Sequence, residues 1–84
     1  MNQQSLNIKA IREIARDFDF DTIESCMQLA IMNKENPCYS KDETEEAVNI
    51  LAKASFVRGQ MNKGLSLSES VRELGKRIRA VQVN

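Results

Sequence analysis

Apolar residues recur at three- and four-residue intervals in four separate stretches of this chain, and no strand-like alternation is longer than DFDFDT at 17–22. Such spacing collects side chains on one side of a helix, so the pattern predicts four helices over 7–17, 22–34, 41–62 and 67–81. Helix 1 gathers Ile8, Ile11, Ile14, Ala15 and Phe18, leaving Lys9, Arg12 and Arg16 on the opposite side. Helix 4 carries a narrower seam of Leu67, Val71, Leu74, Ile78 and Val81 in coiled-coil-like steps, with Arg72, Lys76 and Arg79 as a second basic stripe. Helix 3 is apolar around most of its circumference and reads as the hub. The expected fold is therefore all-α: one domain over 1–84, a small four-helix antiparallel bundle around a long central third helix.

The predicted boundaries rest on local chemistry. Asp21-x-x-Glu24, Ser40-x-x-Glu43 and Ser66-x-x-Glu69 each match a capping box, in which an N-cap oxygen accepts from the third helical N–H and a Glu there reaches back. Gly64 is a natural stop for helix 3, and Pro37 blocks continuation of helix 2.

Composition narrows the core and the partners. The 84 residues are 42% apolar and 29% charged, but with no Trp, one Tyr and three Phe the core must be aliphatic. Met27, Ile31 and Met32 on helix 2, with Phe56 and Met61 on helix 3, exceed what one core face requires. They form the candidate partner surface, and it suits a symmetric homodimer or another protein. Residues 1–46 hold 5 Lys/Arg against 10 Asp/Glu, and residues 47–84 hold 7 against 2, so a neutral chain is split into halves of −5 and +5. Opposite halves can dock within or between molecules.

The candidate chemistry is sparse. DFDFD sets carboxylates at alternate positions as a calcium loop does, but Thr22 stands where that loop needs Gly and Gln28 where it needs a bidentate Glu. No metal or cofactor is expected. Cys26 and Cys38 form no CxxC pair, and no His completes a zinc site or serves as base. Both are expected as reduced thiols, Cys26 in the core and Cys38 in the loop NKENPCYSKDE. Arg58 falls inside the apolar face of helix 3, where its guanidinium must either escape along its stem or pair with Asp17 or Asp19.

Two further patterns touch nucleic acids. IREIARDFDFDTIESCMQLA loosely resembles a helix-turn-helix, yet its second helix opens with acids and holds no base before Lys34. Lys9, Arg12, Arg16, Arg72, Lys76 and Arg79 could join into one basic patch if helices 1 and 4 are neighbours. No catalytic constellation, signal peptide or membrane-length apolar run is visible, which predicts a cytoplasmic, non-enzymatic protein–protein interaction module such as an adaptor, chaperone-like subunit or regulator, with no membrane partner. The alternative is a nucleic-acid-binding regulator using helices 1 and 4.

Overall fold

The computed structural model describes residues 7–39 and 44–82, the last two as backbone only. Four helices follow one another: α1 (Ile8–Asp17), α2 (Phe20–Ile31), α3 (Thr44–Asn62) and α4 (Leu67–Gln82). No strand occurs among the described residues. The chain packs to a radius of gyration of 12.4 Å.

Each boundary has a local cause. Asn7 caps α1, its side chain accepting from the Ala10 N–H at 3.4 Å, and Phe18 ends it in extended conformation. Only Phe18 and Asp19 separate α1 from α2, so DFDFD is a tight corner between helices. The cap of α2 is Asp19, which accepts from the Thr22 N–H at 2.8 Å. This corrects the predicted start at 22. Alternating aspartates offer two capping frames two residues apart, and the earlier one adds a helical half-turn while leaving Glu24 free for a bond to α3.

The C-terminus of α2 also comes earlier than predicted. Asn33 adopts the left-handed region (φ 61°), its N–H reaching Ala30 O at 2.9 Å while the Lys34 N–H reaches Leu29 O at 2.8 Å. Those paired bonds are a Schellman stop, and Asn tolerates it nearly as Gly does. Gly64 (φ 111°) closes α3 the same way, with Gly64 N–H on Met61 O and Leu65 N–H on Gln60 O. At α4, Ser66 and Glu69 form the reciprocal box: the Glu69 N–H bonds Ser66 Oγ at 3.1 Å, and the Ser66 N–H bonds Glu69 Oε1 at 2.9 Å. Ser40 and Glu43 lie outside the described residues.

The core is aliphatic and centred on α3, which packs against each of the other three helices. Ile11, Ile14 and Ala15 of α1, Ile23, Cys26 and Ala30 of α2, and Ala47, Ile50, Leu51, Ala54 and Val57 of α3 are buried together. Among the described side chains of α4 only Leu74 and Ser70 are buried; Leu67, Val71 and Ile78 lean on the core half-covered. Phe20 stands beside Gly59, Glu24 binds Ser55, and Asn33 receives the Thr44 hydroxyl. Numbers fall along α3 as they rise along α2, so these two helices run antiparallel.

One expectation is overturned outright. Cys26 and Cys38 are joined as a disulfide, their Cα atoms 6.1 Å apart, and are not two free thiols. The connection after α2 doubles back because Asn36 closes a turn: its Oδ1 accepts from the N–H groups of Cys38 and Tyr39 at 3.0 and 2.8 Å, and its Nδ2 donates to Tyr39 O at 3.0 Å. That turn delivers Cys38 onto the face of α2 that holds Cys26.

Candidate functional site

The helical phase of α2 sets what it leaves uncovered. Ile23, Cys26 and Ala30 point into the core, which puts Phe20, Met27 and Ile31 together on the flank beside α3, since residues seven and four apart share a side. Phe20 is 37% exposed and Ile31 55%, with Met32 also at 55% just past the helix end; Met27 is half-buried against the core. Large apolar side chains open to water in this way are what an interface would cover. The facing side of α3 is low, with Ala52 exposed and Gly59 within contact of the Phe20 ring. The flank is therefore a shallow apolar strip along the α2–α3 seam, with Glu24 bonded to the buried Ser55 hydroxyl at 2.5 Å in its middle.

The other two residues of the predicted partner surface lie elsewhere on α3. Phe56 is half-buried beneath Arg77 of α4, whose guanidinium stands 5.2 Å from the ring centre, a cation–π contact. Met61 is half-buried against the core. Phe20 also joins the strip, 37% exposed beside Gly59. Its placement becomes legible only once α2 begins at 20.

The basic residues fall into two sets. Lys9, Arg12 and Arg16 line a shallow cleft of about 430 Å³, to which α4 contributes Leu67. Arg16 is held by its neighbour: Nε and Nη2 donate to the two carboxylate oxygens of Asp17 at 2.9 and 3.2 Å. This hydrogen bond raises the Arg16 pKa and holds the Asp17 carboxyl below its usual value. Arg72, Lys76 and Arg79 are exposed on α4, where Lys76 pairs with Glu73 at 3.3 Å; none of the three lines the Lys9–Arg12–Arg16 cleft.

Arg58 takes neither predicted course. Its Nη1 donates to the Ala15 carbonyl at 3.0 Å, an acceptor in the last turn of α1, while Nε is buried with no partner among the described residues. Asp19 feels its charge: that carboxyl is held low first by hydrogen bonds from the Thr22 hydroxyl and N–H, then by Arg58. Among the described residues no group of three or more His, Cys, Asp or Glu side chains could hold a metal ion.

A second cleft, of about 490 Å³, opens between α1 and the Asn36 turn; Lys9, Glu13, Ile14, Phe18, Cys38 and Tyr39 are among its walls. The exposed Asn7 Nδ2 donates to Tyr39 Oη at 3.3 Å across it. No helix among the described residues is long and apolar enough to cross a membrane. The chain matches no protein-family model, no curated protein and no solved structure.

Proposed function

We propose that this chain is a small non-enzymatic interaction module that docks through the flank of α2, and that its first partner is a second copy of itself. The observation carrying this reading is the 55% exposure of Ile31, in line with Phe20 and Met27 along one helix whose core side is already filled, with Met32 equally exposed just past the helix end. Charge supports a two-fold arrangement. The N-terminal end of α2 carries Asp19, Asp21 and Glu24, whereas Lys34 and Glu35 after its C-terminal end cancel, so the acidic end would meet a neutral one. An antiparallel crossing of two copies of α2 would keep the two acidic ends apart and set opposed helix dipoles against each other. The bundle that presents this flank is read as antiparallel throughout, extending the sense of α2 and α3 to α1 and α4.

Light scattering across a concentration range tests it. A dimer that Ile31→Glu converts to a monomer of unchanged helicity is the expected result; a wild-type monomer at every concentration would remove self-association. Binding to duplex DNA that steepens as salt is lowered, carried by Lys9 and Arg12, would instead favour a nucleic-acid regulator. The module is read as cytoplasmic. Disulfides rarely persist there, so a cytoplasmic module would hold the Cys26–Cys38 bond only reversibly.

A further inference from the structure

We propose that the cleft between α1 and the start of α4 is a second docking surface, and that its occupant is an acidic amphipathic helix of another protein. Its walls are Ile8, Lys9, Arg12, Glu13 and Arg16 from α1, with Leu67 from α4. Residues three, four and seven apart share a side of a helix, so Lys9, Arg12 and Arg16 form one row over two turns, about 10 Å from end to end.

Two of these cations have no partner of their own. Arg16 is engaged by Asp17, whereas Lys9 and Arg12 make no ion pair or hydrogen bond among the described residues. Arg12 is half-buried all the same. A partly desolvated guanidinium binds a carboxylate more strongly than a fully hydrated one, through two parallel hydrogen bonds. Ile8 and Leu67, both half-buried, leave apolar surface in the same cleft. Cations in a row beside exposed aliphatic carbon complement a helix that carries carboxylates next to a leucine stripe.

The same walls select a protein over a phosphate chain. Glu13 sits among the cations, and a nucleic-acid backbone, charged at every step, would have to run past it. A protein helix can set carboxylates against Lys9 and Arg12 and none against Glu13. No aromatic side chain among the described residues lines the cleft, so a base would find no ring to stack on. The cleft shares no residue with the strip on α2, and it therefore goes beyond self-association: a dimer formed through α2 would present two such clefts.

The test uses the full chain and a fluorescein-labelled peptide of about 20 residues, with a leucine stripe flanked by glutamates, long enough to be helical when bound. In about 0.15 M salt, where exposed charges more than about 8 Å apart are screened, saturable binding with a Kd below about 100 µM is expected. Lys9→Glu combined with Arg12→Glu should weaken it by about tenfold or more at unchanged helicity. Arg12→Gln, a milder change, should weaken it several-fold. Replacing the peptide's glutamates by glutamine, or its leucines by serine, should abolish binding. Ile31→Glu, which breaks the proposed dimer, should leave the affinity as it was, so this proposal and self-association fail separately. Absence of saturable binding would overturn the proposal. So would an affinity unchanged in the double variant, equal affinity for either altered peptide, or duplex DNA bound more tightly than the peptide and released by the same double variant.

Discussion

The Ser55 hydroxyl donates to Glu24 across the α2–α3 seam at 2.5 Å, and Ser55 is 6% exposed. A hydroxyl buried between helices needs an acceptor, and a carboxylate supplies a strong one. The pair also fixes how α2 is rotated. With Glu24 turned to Ser55, Phe20, Met27 and Ile31 are carried to the outer edge of the seam, where they can meet a partner. A polar contact thereby orients an apolar strip.

Removing the hydroxyl tests that coupling. Ser55→Ala is expected to cost about 1 kcal/mol, because Glu24 loses a charge-assisted bond in a half-buried place. Glu24→Gln, which keeps an acceptor oxygen, should cost less. Urea denaturation of both variants checks the order. Equal stability of Ser55→Ala and the parent protein would show that the seam does not depend on this bond.

Acid should weaken the fold, with a sign that follows from three carboxylates. Asp17 is held low first by its hydrogen bond from Arg16, Asp19 by those from Thr22, and Glu69 by those from Ser66. Ordinary values are 3.8 for Asp and 4.5 for Glu. In the folded chain these groups stay ionised to lower pH than in the unfolded chain, so the unfolded state binds more protons as acid is added. Their contribution is complete above the ordinary values and is lost as pH falls through the lowered ones. The urea midpoint should therefore decline as pH drops below about 4.5, and Asp19→Asn with Glu69→Gln should flatten that decline. A midpoint independent of pH over this range would contradict the assigned bonds.

The glycine that ends α3 offers a cleaner conformational test. Gly64 has φ 111°, and among the described residues nothing lies within 4 Å of the position a Cβ would take. Space is free, so the whole cost of Gly64→Ala is backbone strain, expected at about 1–2 kcal/mol. Thermal unfolding measures it. An unchanged midpoint would mean that the turn readjusts without its left-handed residue.

How much of this was legible depends on the reach of each interaction. Ser66-x-x-Glu69 could be read because both of its bonds join residues three apart, and Gly64 because a single residue type suits its conformation. The same rule points to Asp21, the only aspartate of DFDFD with a Glu three residues on, but the cap is Asp19, and Glu24 is taken by the bond from Ser55, thirty-one residues away. Asn33 stops α2 early because a left-handed Asn leaves no periodic mark. The disulfide was hidden for a related reason. Spacing between Cys26 and Cys38 says little until the Asn36 turn folds the connection back, and reading Asn36-Pro37 as a side-chain-closed turn is the signal that could have revealed it. The four helices and the aliphatic core, by contrast, follow from periodicity and from the shortage of aromatics.

Gly59 supplies the last prediction, and it runs against the expectation that a buried-side glycine is there to make room. It sits inside α3 with a helical backbone, and a Cβ built on it would lie 3.7 Å from the Phe20 ring, an ordinary van der Waals contact. Nothing in that geometry requires glycine. Alanine in its place would lose less backbone entropy on folding and would touch Phe20 without displacing it, so Gly59→Ala is expected to stabilise the chain by roughly 0.5–1 kcal/mol. The same change should steady the Phe20 side chain on the proposed docking strip and leave self-association intact. Denaturation and light scattering on this one variant separate the two effects. A loss of stability would show that Phe20 packs closer to α3 than the present contact allows, and a gain in stability with loss of association would place Gly59 itself at the interface.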